Sequence, residues 1–201
     1  MTSDDPLYWD KISKSFWKLK ACKWMTYHGR RMRKFPTDLF MLEQLIWQIR
    51  PGAIIEFGTW HGASALWFCH RLELLGLGKV VTVDVEAQLD VPRHPRLKTI
   101  IGDSLSEVVA RKVRDEVRGC SPVLIIEDSK HTRGHVRQEL ELYHDLVTVG
   151  SYFVVEDCSA GVHQAVDRFL LRHGAAFVQD RTCEGFRISA NNNGWLKRVK
   201  C

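Results

Sequence analysis

Several features are scarce or missing in this 201-residue sequence, and each absence narrows what the chain can be. No apolar run reaches the roughly 18 residues that a membrane-spanning helix needs, so we expect no membrane partner. The amino terminus is polar and has no apolar signal-peptide core, so we expect a cytoplasmic protein. There is no internal repeat or low-complexity tract. With 45% hydrophobic and 26% charged residues, the composition indicates one globular domain of ordinary size.

The cysteines form no Cys-x-x-Cys pair and no cluster typical of a metal site. Scattered cysteines in a cytoplasmic protein are usually reduced thiols. Cys158 directly follows an acidic pair, but nothing in the sequence marks it as a nucleophile. The six residues are Cys22, Cys69, Cys120, Cys158, Cys183 and Cys201.

A third glycine is missing where a dinucleotide-binding protein would have one. Residues 53–66 read as a buried strand, a turn that contains Gly58 and Gly62, and the start of a helix. A second apolar strand, over residues 79–84, ends at Asp84. A strand, a glycine turn, a helix and an acid at the end of the next strand are typical of nucleotide-cofactor sites.

The residues around that turn favour a cationic cofactor. Glu56 stands immediately before the turn, where an acid suits a positive ligand better than a pyrophosphate. S-adenosylmethionine carries a sulfonium and an ammonium, and its ribose hydroxyls suit Asp84. The helix that follows can be capped by Thr59 or Ser64. We therefore favour S-adenosylmethionine over NAD, with a purely structural turn as the remaining alternative.

Strands and helices alternate along the rest of the chain. This alternation predicts an α/β fold with a mostly parallel sheet, helices on both faces, and ligands at the carboxyl ends of the strands. Further strands are expected at residues 97–101, 123–128, 152–157, 176–179 and 186–189. Helices are expected at residues 1–28, 39–50, 65–75, 105–118, 133–146 and 164–173.

The net charge of +5 is concentrated in residues 11–34 and in the last few residues. Aromatic residues interleave with the first basic cluster, which resembles a nucleic-acid surface. We favour an amphipathic helix with a solvated basic face, so we expect no nucleic-acid partner. Its aromatic stripe of Trp9, Phe16, Trp17 and Trp24 needs the core, a second subunit or an apolar substrate to cover it. We expect residues 1–34 to form a separate helical segment before a cofactor-binding domain at 35–201.

The predicted strands end at acidic residues. Asp128 ends one strand and the pair Glu156 and Asp157 ends the next, so three carboxylates should converge at one edge of the sheet. Such a cluster is costly without a cation because like charges raise each other's pKa. Oxygen ligands suit Mg²⁺ or Mn²⁺. The alternative is that these residues are separate helix caps or strand ends.

Two further positions near this edge are candidates. Asp103 could face an adenine amino group or cap the helix that follows. His131 lies three residues after Asp128 and could act as a general base, with an ordinary pKa near 6.5. His131 and His135 are also spaced to share a helix face, but no third soft ligand accompanies them, which argues against zinc.

Five blocks of sequence stand over roughly residues 34–200. They are Phe35-Pro-Thr-Asp-Leu39 with Glu43-Gln44; Ile55-Glu-Phe-Gly-Thr-Trp-His-Gly-Ala-Ser-Ala65; Leu74-Leu-Gly-Leu-Gly-Lys-Val80 through Val83-Asp84; Asp128-Ser-Lys-His131 with Glu139-Leu-Glu-Leu-Tyr143 and Val149-Gly-Ser-Tyr152; and Val154-Val-Glu-Asp157. Together they resemble the cephalosporin hydroxylase/rhamnosyl O-methyltransferase family.

The resemblance implies a Rossmann-like class I methyltransferase fold with a seven-stranded, mostly parallel sheet, S-adenosylmethionine and a divalent metal. Asp128, Glu156 and Asp157 would bind Mg²⁺ or Mn²⁺. His131 matches the base of related metal-dependent sugar O-methyltransferases. The cofactor-binding residues would be Glu56, Gly58, Thr59, Gly62, Ser64, Asp84, Asp103, Ser104 and Asp128.

One departure from the family bears on the acceptor. The family usually has a Gly/Pro-rich insertion after the Glu-Asp pair, whereas here the chain runs from Cys158 almost directly into the next helix. Acceptor identity therefore cannot be carried over, and the amino-terminal aromatic helix could supply the missing wall.

The expected activity is S-adenosylmethionine- and Mg²⁺-dependent methylation of a hydroxyl on a small-molecule acceptor, a sugar or polyketide-type natural product of secondary metabolism such as antibiotic biosynthesis. We expect a homo-oligomer. An N-methyltransferase acting on an amine or amino sugar, an NAD-linked oxidoreductase and a non-catalytic cofactor-binding partner stay open. An iron and 2-oxoglutarate hydroxylase is disfavoured because no histidine is followed two positions later by an acid.

Overall fold

The computed structural model describes residues 6–87, 91–158 and 160–200. The helices are α1 (Pro6–Lys18), α2 (Pro36–Ile49), α3 (Ala63–Leu74), α4 (Glu107–Val117), α5 (Arg133–Tyr143) and α6 (Ala160–His173). The strands are β1 (Thr26–Tyr27), β2 (Arg30–Arg31), β3 (Ala53–Phe57), β4 (Lys79–Asp84), β5 (Leu97–Ile101), β6 (Val123–Glu127), β7 (Tyr152–Val155), β8 (Phe177–Gln179) and β9 (Trp195–Arg198).

Seven strands form one sheet in the order β5-β4-β3-β6-β7-β9-β8, and β1 and β2 form a separate hairpin. β3 to β7 are parallel, and β9 runs antiparallel to both of its neighbours. The predicted seven-stranded, mostly parallel sheet is confirmed. Phe57 pairs with Glu127, and Glu127 with Val155, so β3, β6 and β7 end level with one another. Residues that directly follow these strands are therefore brought side by side.

Helices cover both faces of the sheet. One apolar cluster joins the sheet to α4, α5 and α6 through residues such as Val113, Leu140 and Phe169. The second joins the sheet to α2 and α3 through residues such as Leu42 and Phe68. β3 and β6 are buried along their whole length, which explains their nearly continuous apolar sequences. Among the described residues, no helix is both long and apolar enough to cross a membrane.

The prediction of a single helix over residues 1–28 is wrong. α1 ends at Lys18, and Lys20 has a positive φ of 56°, which breaks the helical path. Residues Thr26–Tyr27 and Arg30–Arg31 then pair around His28 and Gly29, whose φ values of 49° and 77° fit a tight two-residue hairpin turn. The aromatic stripe could not reveal this hairpin. Over so short a stretch, aromatic residues can keep a helical spacing in the sequence even where the chain makes a turn.

The predicted aromatic stripe is only partly packed. Phe16 and Trp17 lie 4.5 Å and 5.9 Å from the Phe35 ring, centroid to centroid, so α1 packs against the segment that enters α2. Trp24 is 88% exposed. The side chain of Trp9 lies outside the described residues.

The predicted strand at residues 186–189 is also wrong, and the last strand is β9. Arg187 has a φ of 60°, which interrupts an extended path. The segment instead binds α2: Asp38 accepts hydrogen bonds from the Ser189 hydroxyl at 2.5 Å and from the Ala190 N–H at 2.9 Å. Burial raises the pKa of Asp38 to about 6, against the effect of these two bonds.

Candidate functional site

A cavity of about 810 Å³ opens at the carboxyl ends of the parallel strands. This volume lies near the upper end of the ~300–1,000 Å³ range of small-molecule sites. The predicted site residues that line it are Gly58, Thr59, Ser64, Asp84, Asp103, Ser104, Asp128, His131 and Asp157. Glu56, Gly62 and Glu156, which were also predicted, do not line it.

The turn after β3 approaches the neighbouring strand too closely for any side chain at Gly58. A Cβ there would lie 2.1 Å from the Asp128 carbonyl oxygen, and φ is +94°. Gly62 begins α3 with a φ of 69° and no side-chain cap, so the predicted cap by Thr59 or Ser64 is wrong. The Thr59 hydroxyl bonds the Thr82 hydroxyl at 2.8 Å instead. The glycines thus bring the turn against the end of β6.

Asp84 holds the turn in place. Its Oδ2 accepts hydrogen bonds from the N–H groups of Thr59 and Trp60, each at 2.9 Å. Trp60 has a φ of 45°, a backbone region that bulky residues rarely adopt, and its side chain lines the cavity. These two hydrogen bonds to Asp84 therefore hold Trp60 at the cavity wall. The predicted contact of Asp84 with ribose stays a prediction.

Glu56 is a buried acid with one unpaired oxygen. Its Oε2 accepts a hydrogen bond from the Thr82 hydroxyl at 2.9 Å, whereas Oε1 has no hydrogen-bond partner among the described residues. Burial raises the pKa of Glu56 to about 7, although Lys34 opposes the shift. A buried unpaired carboxylate oxygen is unusual and suits a positively charged group.

Replacing Glu56 with glutamine is expected to stabilise the chain at pH 8 and to change little at pH 5. Because the pKa is higher in the folded chain than in the unfolded chain, the folded chain binds the extra proton between about pH 4.5 and 7. Stability therefore falls as the pH rises through this window, by about 3 kcal/mol from this group. Urea unfolding of both proteins at pH 5 and pH 8 measures the difference.

Glu73→Gln is the matched control, because Glu73 is exposed and we expect its replacement to stay within about 0.5 kcal/mol of wild type at both pH values. A Glu56→Gln protein that is no more stable than wild type at pH 8 would contradict the assignment of a buried, charged carboxylate.

Asp103 does not cap α4. Its Oδ1 accepts the Leu105 N–H at 2.9 Å, while the cap is Ser106, whose hydroxyl oxygen accepts the Val109 N–H at 3.3 Å. The cap alternative for Asp103 is therefore wrong. Asp103 lines the cavity, and its predicted contact with adenine stays a prediction.

A buried polar network lies beneath the cavity. The Ser129 hydroxyl lies 2.8 Å from Glu127 and 3.0 Å from Glu139, and Glu139 also binds Ser104 at 2.5 Å and His135 at 3.1 Å. Burial and the nearby Glu139 raise the pKa of Glu127 well above its usual range. His131 and His135 do not share a helix face, because α5 begins at Arg133 and His135 contacts this network.

Asp128, His131 and Asp157 meet at the cavity wall. His131 Nε2 lies 3.5 Å from both Asp128 Oδ1 and Asp157 Oδ2. One ligand atom from each residue lies within 4.8 Å of the others, which fits a shared cation. Burial raises the pKa of Asp157 and His131 opposes this shift. The sequence placed these three side chains together correctly.

Lys34 is the main site residue that the sequence did not reveal. Its Nζ donates to Asp128 Oδ2 at 2.7 Å and to Glu156 Oε1 at 2.6 Å, and its side chain is 2% exposed. Burial lowers the pKa of Lys34, but the two carboxylates outweigh burial and raise it above its usual range. Glu156 thus already has a cationic partner, and its predicted metal role stays a prediction.

The cavity wall opposite the sheet comes from the amino-terminal segment. Trp17 and Arg33 line the cavity, and the Arg33 guanidinium lies 5.4 Å from the centre of the Trp60 ring. Trp17 of the same chain thus reaches the cavity, and its replacement of a wall lost after Cys158 stays a prediction. Burial raises the pKa of the Cys158 thiol to about 12.

A family model described as Rhamnosyl O-methyltransferase/CmcI matches residues 19–199. The match begins inside the predicted amino-terminal segment, so the boundary at residues 34 and 35 stays a prediction. The rhamnosyl O-methyltransferase of Mycobacterium tuberculosis (strain ATCC 25618 / H37Rv) is 30% identical over 151 residues, 72% of this chain and 61% of that protein. The protein of that name from Mycobacterium leprae (strain TN) is 31% identical over 150 residues, 72% of this chain and 65% of that protein. The chain thus spans about three-fifths of these relatives' length.

Solved structures show the same fold. A structure of CmcI with Mg and SAM has a TM-score of 0.72 at 20% identity, covering 89% of this chain and 78% of that chain. An O-methyltransferase from Bacillus cereus in complex with SAH has a TM-score of 0.54 at 17% identity, covering 94% of this chain and 91% of that chain. The fold is therefore that of the class I, Rossmann-like methyltransferases, as predicted.

Proposed function

Because the chain belongs to the rhamnosyl O-methyltransferase/CmcI family, we propose that it transfers a methyl group from S-adenosylmethionine to a hydroxyl of a small molecule, with a divalent metal at the site. The observation that carries this proposal is the single cavity that contains both the glycine turn with Asp84 and the cluster of Asp128, His131 and Asp157. A methyl donor and an acceptor could meet there.

The cofactor half of the proposal rests on the turn after β3. Gly58 and Thr59 line the cavity, and Asp84 and Asp103 border it farther along the sheet edge. The unpaired Glu56 oxygen provides negative charge beneath the turn. We propose that these residues hold the cofactor, with Gly62, Ser64, Ser104 and Asp128 completing the set.

The metal half rests on the donor set. Asp128 and Asp157 offer carboxylate oxygens on one side of His131, and hard oxygen ligands suit Mg²⁺ or Mn²⁺. A bound metal would orient the acceptor hydroxyl and lower its pKa. Glu156 does not line the cavity and its Oε1 accepts from the Lys34 ammonium at 2.6 Å, so it would join the ligands through its other oxygen.

His131 is the proposed general base. Its Nε2 faces both carboxylates from 3.5 Å, so they would stabilise the protonated ring once it accepts the acceptor's proton. Trp17 and Trp60 would exclude water from this end of the cavity. A sugar or polyketide-type acceptor in natural-product biosynthesis, a cytoplasmic location and a homo-oligomer are also part of this proposal.

Calorimetric titration with S-adenosylmethionine in Mg²⁺ buffer tests the proposed function. We expect saturable binding at one site per chain, and a marked loss of affinity in Asp84→Ala, because the turn that Asp84 holds would loosen. Asp115→Ala, an exposed position on α4, is the control. If the titration gives no heat of binding and S-adenosylmethionine does not raise the melting temperature, the cofactor assignment is overturned. Binding without methyl transfer to any acceptor in a panel of sugars, phenols and amines would instead indicate a non-catalytic binding protein.

A further inference from the structure

Three cations stand at the mouth of the cavity. Arg31, Arg33 and Lys130 line it and are exposed. Among the described residues, none of the three has a carboxylate oxygen within 4.0 Å of its charged nitrogens. Lys98, by contrast, is exposed and lies 3.3 Å from a Glu116 oxygen. The three charges at the mouth are thus left available to a ligand.

A second cavity of about 480 Å³ adjoins the first. The two cavities share Arg31, and the second is otherwise lined by His28, Gly29, Arg30 and His61. The β1–β2 hairpin, which the sequence did not predict, supplies most of this wall. The first cavity thus has the carboxylates of Asp128 and Asp157 in its lining together with the three exposed cations Arg31, Arg33 and Lys130.

Trp60 supplies an aromatic face in the first cavity. Trp60 is held in a strained backbone conformation with a φ of 45°, and the Arg33 guanidinium lies 5.4 Å from its ring centre. Strain of this kind is typical of ligand-binding positions. Arg33 and Asp157 line the same cavity, so a ligand bound to Arg33 could extend toward the carboxylates.

We propose that the acceptor is a small phosphate ester whose phosphate binds Arg31, Arg33 and Lys130 while its hydroxyl-bearing part reaches Asp128 and His131. This inference rests on the proposed function, because it assigns the acceptor of that same site. A phosphate dianion matches several cations better than a carboxylate does, and the planar guanidinium fork binds phosphate oxygens in pairs. A neutral acceptor would leave the cations at the mouth unused.

Calorimetric titration of the full chain, saturated with S-adenosylhomocysteine, with glucose 1-phosphate, glucuronate and glucose tests the proposal. We expect glucose 1-phosphate to bind most tightly and glucose not to bind. In the double variant Arg31→Ala/Arg33→Ala, we expect its affinity to fall about tenfold or more, because each charged hydrogen bond contributes substantially. The matched control Arg111→Ala, on the exposed face of α4 and outside both cavities, should bind like wild type.

Two results would overturn the proposal. The first is that glucose 1-phosphate does not bind the wild-type protein, or binds it no more tightly than glucuronate does. The second is that glucose 1-phosphate binds the double variant and Arg111→Ala equally tightly, while circular dichroism shows that both proteins are folded. Binding of S-adenosylhomocysteine, measured first in the same protein, separates the two proposals. If that cofactor product binds and the phosphate does not, only the acceptor assignment falls. If the phosphate binds with the expected arginine dependence and the cofactor product does not, the phosphate site is supported and the methyltransferase assignment falls.

Discussion

Replacing Lys34 with methionine is expected to lower the free energy of unfolding by about 3–5 kcal/mol. The ammonium is buried and neutralises two carboxylates at once, through contacts of 2.7 Å to Asp128 and 2.6 Å to Glu156. Methionine keeps much of the side-chain volume but leaves both acids without their cation. Removal of one partner from a buried ion pair is costly because the remaining charge stays in a poorly solvated place.

The same variant is expected to become dependent on a divalent metal for stability. A metal that binds the folded chain stabilises it by mass action, and in Lys34→Met it would replace the missing positive charge. We expect Mg²⁺ to raise the melting temperature of the variant more than that of wild type. Lys79→Met is the matched control, since Lys79 pairs with Glu116 at 3.3 Å on a partly exposed surface and its loss should cost about 1 kcal/mol or less. A Lys34→Met protein as stable as this control would contradict the proposed role of Lys34.

Asp128→Asn is expected to reduce methyl transfer at least about 100-fold and to weaken cofactor binding far less, because the other proposed cofactor residues stay in place. The substitution keeps the shape of the side chain but removes a negative charge that faces both Lys34 and His131. The metal would lose a strong ligand, and the protonated His131 would lose one of the two carboxylates that stabilise it. Rates with and without added Mg²⁺, and calorimetry with S-adenosylmethionine, measure the two effects separately.

Asp115→Asn is the control for this variant, because Asp115 lies on the exposed surface of α4, where it pairs with Arg118. We expect its rate to equal that of wild type. Wild-type protein that keeps its full rate in EDTA would rule out the metal role and would leave His131 as the main candidate for activating the acceptor.

The sheet could be predicted from the sequence because its strands are short apolar runs bounded by glycine, proline and acids. Leu97–Ile101 and Lys79–Asp84 were predicted to the residue. The errors lie where the backbone leaves the helix and strand regions of φ and ψ at residue types that rarely adopt a positive φ. Lys20 and Arg187 both have positive φ, and neither side chain signals this in the sequence. Tertiary contacts, such as those of Asp38 with residues 189 and 190, fix these segments.

Part of the candidate site could also be predicted from the sequence. Asp128, His131 and Asp157 follow two strands that the fold makes neighbours, so parallel pairing alone brings them together. Lys34 comes from a connecting segment far away in the sequence, within a run of basic residues that all look solvent-exposed. Nothing local distinguishes Lys34 from Arg31 or Arg33. Only the packing of Met32 and Phe35 on either side of it, both buried, turns this one cation inward.

The reversed strand β9 has a consequence for how the chain completes itself during synthesis. β9 lies between β7 and β8, and it pairs with both. Until residues 195–198 have left the ribosome, β7 has an unpaired edge, and Val155 lacks its bond to the Gly194 carbonyl. An open strand edge invites pairing with other chains. The acids that follow β7 therefore reach their final positions only when nearly the whole described chain has been made.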